Sequence, residues 1–143
     1  MNAPARAGWR TSTTVSFCAA AWPTVSPDDP DAPALLVLGE FLRNGHLHRA
    51  IREQGGAYGA GAGYNPDSDS FRMFSYRDPR LAETFDEFRG ALDWLFAADH
   101  DPRNLEEAVL GVIAAIDKPG SPAGEAVTAY FAELFGRTPE WRR

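Results

Sequence analysis

The sequence predicts a mixed α/β (α+β) fold containing an antiparallel hairpin, and three observations carry that expectation. Residues 57–64 and 71–77 alternate in character with a period of two. The turn-forming stretch Asn65-Pro-Asp-Ser-Asp-Ser70 lies between them. Apolar residues at helical spacing occupy both flanks, Leu35, Leu38 and Leu42 before the hairpin and Leu81, Phe85, Phe88, Leu92 and Leu95 after it.

In chain order, residues 13–22 read as a first strand, rich in β-branched and aromatic types. Arg6 and Arg10 before Val15–Trp22 faintly mimic a signal peptide, but the apolar part is short and Thr11–Thr14 favours a strand. A Pro- and Asp-punctuated loop follows. Asp31 is placed to cap a helix with Pro33 in its first turn, and Asn44-Gly45 reads as its stop. A short second helix carries Leu47, Ala50 and Ile51 and ends at Gly55-Gly56.

The hairpin puts Tyr58, Ala60, Ala62 and Tyr64 on one face of its first strand and Gly59, Gly61 and Gly63 on the other. A face without side chains expects a close neighbour. Asp78-Pro79 reads as the start of the next helix, Asn104 and Glu107 as a capping box, and Ser121-Pro122 as the start of a last helix with Val127, Tyr130, Phe131 and Leu134. Thr138-Pro139-Glu140 begins a further helix that the chain does not complete, which suggests a piece of something longer.

The 143 residues suit one domain, and the single cysteine, Cys18, excludes an internal disulfide. That favours a reducing compartment, taken here as the cytoplasm. A net charge of −6 argues against nucleic acid as a partner. No run reaches the roughly 18 apolar residues of a membrane span.

The chemistry concentrates at Arg52-Glu-Gln-Gly-Gly-Ala-Tyr58. A guanidinium and a phenol flank Gly55 and Gly56, which can turn the backbone so that both donors converge on one carbonyl or oxyanion. The same residues also suit an ordinary helix ending, with Arg52 favouring the helix dipole and Tyr58 packed in the sheet.

Other candidates carry less. His46 and His48 are spaced wrongly for one helix face, and His100 stands apart, so no metal site is recognised. Gly56–Gly61 has the wrong glycine order for a dinucleotide loop, leaving nucleotide binding a weak third reading. Asn65, Asp67 and Asp69 resemble a calcium loop but lack its glycine and its final glutamate. Cys18 reads as a small buried hydrophobe. The carboxylates of Glu83, Asp86, Glu87, Glu106 and Glu107 read as solvated helix faces.

Leu42-Arg-Asn-Gly-His-Leu-His-Arg-Ala-Ile-Arg52-Glu-Gln-Gly-Gly-Ala-Tyr58-Gly, followed by Phe74-Ser-Tyr-Arg-Asp-Pro79, resembles the pitrilysin/insulinase superfamily of zinc metallopeptidases, most closely its presequence protease branch. The similarity runs from about Trp9 to Arg143 and corresponds to part of the C-terminal half of a much longer protein. The resemblance implies a two-layer sandwich, a mostly antiparallel sheet with helices on one face. It implies that Arg52 and Tyr58 hold a peptide carbonyl and stabilise the tetrahedral intermediate, with Gly55 and Gly56 shaping the turn that aims them. Arg77 belongs to the matching block and receives no role beyond structure.

Zinc and its general base would belong to the missing N-terminal half, with no cofactor in this chain. The implied partners are a peptide substrate and that half, with self-association possible. A non-catalytic scaffold subunit of the same fold is the alternative.

Overall fold

The structure, a computed structural model, describes residues 5–97 and 99–136. It contains β1 (Ser16–Pro23), α1 (Ala32–Leu42), a π-helical segment (Arg43–Glu53), β2 (Gly59–Asn65), β3 (Ser70–Asp78), α2 (Ala82–Ala97), α3 (Pro102–Asp117) and α4 (Pro122–Leu134). The strands form a three-stranded sheet in the order β1-β3-β2, antiparallel throughout. The result is the two-layer α/β arrangement expected.

The pleat sorts the strand residues into two faces. Cys18 pairs with Ser75 and Ser75 with Ala60, while Ala20, Met73 and Ala62 form the next row and Trp22, Phe71 and Tyr64 the one after. On this face Cys18, Met73, Phe71 and Tyr64 are buried against Leu42, Leu47, Ile51, Phe88 and Ala91. The Tyr64 hydroxyl satisfies itself by donating to the Val25 carbonyl at 3.0 Å.

The opposite face carries the rows Phe17–Tyr76–Gly59 and Ala19–Phe74–Gly61. The close neighbours that the glycine face expects are aromatic rings at Gly59 and Gly61, whereas a Cβ on Gly63 would meet nothing within 4 Å. A Cβ on Gly59 would lie 2.3 Å from the Tyr76 hydroxyl oxygen, and one on Gly61 2.7 Å from the Phe74 ring. Glycine is needed here because rings from β3 lie across β2, the pairing that shields strand glycines.

Several sequence expectations are corrected. Asn44-Gly45 does not stop α1, which runs directly into the π-helical segment. Gly45 instead makes room for Trp94, whose ring would lie 2.2 Å from any Cβ there. The Asp31 side chain makes no cap hydrogen bond, although Pro33 does sit in the first turn. Asp78 ends β3, and α2 starts only at Ala82. The buried stripe of α2 is Thr84, Phe88 and Ala91, leaving Leu81 and Leu92 exposed.

The cap of α3 is Asp101, whose carboxylate accepts the Arg103 N–H, so Asn104 does not open it. Ser121 caps α4 as expected, its hydroxyl accepting the Gly124 N–H at 3.1 Å. Tertiary contact explains the side-chain differences: α3 lies on α1 and buries only Ala108, while α4 buries none of its residues. Thr138, Pro139 and Glu140 lie outside the described residues.

Candidate functional site

The Arg52–Tyr58 turn is built by the way the π-helical segment ends. Gln54 N–H donates to the Arg49 carbonyl at 2.9 Å, a π-type bond. Gly56 N–H then donates to the Arg52 carbonyl at 3.0 Å, inside a wider bond from Ala57 N–H to the Ile51 carbonyl at 3.1 Å. This nested pair has the form of a Schellman ending, with each ring one residue larger. Gly56 supplies the left-handed backbone, with φ of 78°.

Gly55 does something else. A Cβ there would lie 1.7 Å from Arg80 Nη2 and 2.5 Å from the Ile51 carbonyl oxygen. Arg80 occupies that space and donates to the Ala50 carbonyl at 3.1 Å. Of the two expected hinge glycines, Gly56 therefore provides conformation and Gly55 provides room.

Arg80 is held in turn by Asp78, which is fully buried. Asp78 accepts the Arg80 backbone N–H at 2.9 Å and the Thr84 hydroxyl at 2.7 Å. Its carboxylate lies 3.9 Å from Arg80 Nε. Residues 78–84 thus tie β3 and α2 to the end of the π-helical segment. Asp78's own partners are two and six residues along the chain, while the bond that spans thirty residues is that of Arg80 to the Ala50 carbonyl.

Arg52 lies in the last turn of the π-helical segment with its side chain exposed, and Tyr58 immediately before β2 is 64% exposed. Neither belongs to the core. Tyr58, which the alternation places on one face with Ala60, Ala62 and Tyr64, precedes β2 and does not share the burial of Tyr64. Its ring instead sits 5.7 Å from that of Tyr76, and the Arg77 guanidinium carbon lies 5.6 Å from its centroid. Tyr58 N–H donates to the Arg77 carbonyl at 3.3 Å.

Arg77 itself is unusual. Ser16 pairs with Asp78 but Phe17 pairs with Tyr76, so Arg77 is the extra residue of a β-bulge. Its φ is 50°, the left-handed region that non-glycine residues rarely occupy. Sequence reasoning missed its contact with Tyr58; the only signal was its place in the Tyr76-Arg-Asp-Pro79 block.

The histidines have structural neighbours. His46 Nε2 lies 3.2 Å from Glu87, His48 Nε2 lies 3.4 Å from Glu53, and His100 meets the Leu95 carbonyl at 3.1 Å between Phe41 and Trp94. Glu87 is thus engaged rather than simply solvated. Among the described residues no group of three or more His, Cys, Asp or Glu side chains is placed to hold a metal. The zinc implied by the resemblance does not fit the residues described here. Burial pushes the Cys18 thiol pKa up, against a lowering hydrogen bond with Ser75, and the nearby Asp78 carboxylate raises it further.

The family model described as the PreP C-terminal domain matches residues 12–143. The chain belongs to this family.

Among curated relatives, it is 40% identical over 129 residues to the mitochondrial presequence protease of Yarrowia lipolytica, covering 90% of this chain and 13% of that protein. It is 35% identical over 120 residues to the Mus musculus protein of the same name, covering 84% of the chain and 11% of the relative. For the Saccharomyces cerevisiae protein the figures are 36% over 114 residues, 79% and 12%. The chain thus spans about an eighth of the length of these PreP relatives.

Their names also overturn the expected cytoplasmic location, since these relatives are named mitochondrial. A lone cysteine reports redox conditions, and a reducing compartment need not be the cytoplasm.

Proposed function

We propose that this PreP C-terminal domain is the substrate-gripping part of a peptidase, and that Arg52 and Tyr58 hold the peptide carbonyl. The observation that supports the reading is the pair's setting. Two hydrogen-bond donors stand exposed at the ends of a turn closed by the bonds from Gly56 to Arg52 and from Ala57 to Ile51. A backbone already closed in this way need not reorganise as negative charge develops on the oxygen. Gly55 and Gly56 contribute by shaping the turn. Any zinc would be bound elsewhere in the longer protein, and this chain would not cleave peptides alone.

The test combines the chain with a separately expressed N-terminal half of a presequence protease and follows hydrolysis of a peptide. Restored hydrolysis that falls about 10²–10³-fold in Arg52→Ala and in Tyr58→Phe supports the proposal, that being the usual cost of one oxyanion donor. Hydrolysis indifferent to both substitutions refutes it.

A second reading, a non-catalytic scaffold subunit, is favoured by the exposed apolar side chains of Val127, Tyr130, Phe131 and Leu134 on α4. Self-association, or tight association with the other half without hydrolysis, would support that reading.

A further inference from the structure

We infer that Arg77 is a positioning residue for Tyr58, set in a strained bulge so that its guanidinium lies against the phenol ring. The inference rests on the proposed role of Tyr58 and adds a residue to it.

The bulge comes first. An extra residue in one strand bends the ladder and redirects a side chain, and in the left-handed variety the extra residue is ordinarily glycine. Here it is arginine at φ 50°. A residue chosen for the bulge alone would be glycine, because glycine adopts that backbone without steric cost. The arginine side chain must therefore answer another need.

Its surroundings indicate which. Among the described residues the exposed Arg77 side chain has no ion pair or hydrogen bond, and its guanidinium lies over the Tyr58 ring at 5.6 Å. Its carbonyl accepts the Tyr58 backbone N–H at 3.3 Å, so one residue restrains both the main chain and the ring of Tyr58. Tyr76, the preceding residue, adds a ring contact at 5.7 Å. The restraints fall on the aromatic body, and Tyr58 remains 64% exposed. A cation over a tyrosine face is attracted to it and favours one ring placement. The outcome is a phenol with its orientation limited before any ligand arrives.

Arg77→Gly and Arg77→Lys would be prepared in the 143-residue chain with ring-labelled tyrosine, the Tyr58 signal being assigned by its loss in Tyr58→Phe. Arg77→Gly is expected to shift the Tyr58 ring resonances. Arg77→Lys keeps a cation and should return the resonances part of the way. Combined with the N-terminal half, Arg77→Gly should lower kcat about 10–100-fold with a smaller change in KM, the scale of a misplaced reacting group.

An unmoved Tyr58 signal in Arg77→Gly overturns the inference by making the arginine merely structural. Normal kcat in Arg77→Gly, alongside a large loss in Tyr58→Phe, also overturns it. A shifted ring signal with hydrolysis indifferent to Tyr58→Phe supports the contact and instead defeats the role proposed for Tyr58.

Discussion

Replacing Gly55 with alanine should cost far more than an exposed turn would suggest. The added Cβ would stand 1.7 Å from Arg80 Nη2 and 2.5 Å from the Ile51 carbonyl oxygen. The first contact can be relieved by moving Arg80, which breaks its bond to the Ala50 carbonyl. Losing a hydrogen bond from a charged donor costs about 1.5–3 kcal/mol. The second contact is with backbone, and overfilling of that kind costs about 1–3 kcal/mol. The lower chain entropy of unfolded alanine returns about 0.4–1 kcal/mol.

The net loss is therefore roughly 2–5 kcal/mol, read as a thermal midpoint lower by roughly 6–15 °C for a chain of this size. Gly56→Ala, strained at φ 78° but facing only Pro79 at 3.5 Å, should lose just the left-handed penalty. That penalty is about 1–2 kcal/mol. Urea or thermal denaturation of both variants checks the order. Coupling to Arg80 can be isolated in Arg80→Ala, where Gly55→Ala should cost at least about 1 kcal/mol less. Equal losses at the two glycines, or no coupling, would refute the assignment of Gly55 to room and Gly56 to conformation.

Three other outcomes follow from the same structure. Asp78→Ala should lose about 3–5 kcal/mol in denaturant unfolding, because it strips a fully buried carboxylate from Arg80 and Thr84. Gly39→Ala should destabilise by about 1–3 kcal/mol despite alanine's helix preference, since its Cβ would meet the Gly63 Cα at 2.8 Å and neither backbone can yield. Cys18 ionises less readily folded than unfolded, so the folded state retains its proton as pH rises above the ordinary thiol value. The stability from this group is complete below that value and is lost as pH climbs towards the folded pKa, with thiol labelling slow until unfolding.

Local pattern accounted for much of what was legible beforehand. The hairpin follows from alternation on either side of Asn65–Ser70, since a period of two is intrinsic to a strand. The buried side of the second helical run, Leu47, Ala50 and Ile51, was legible because apolar residues were grouped at helical spacing. Arg52, Tyr58 and the glycines between them stood out because charged and phenolic groups beside Gly-Gly are poor core material. What spacing cannot display is which distant residue arrives. Gly45 looked like a helix stop because Trp94, which fills the space above it, is far along the chain. Leu81 and Leu92 seemed core-facing because a helical stripe does not reveal its rotation about the axis until the sheet is in place.

The amino-acid order by itself determined the element types, the strand hairpin and the family, all of which rest on neighbours along the chain. Only the folded molecule decided the rest: Arg80 in the space of a Gly55 side chain, Asp78 sealed beneath it, and Arg77 turned by a bulge onto Tyr58. These depend on excluded volume and burial between side chains carried by different elements. Such contacts become defined only when the sheet and helices meet.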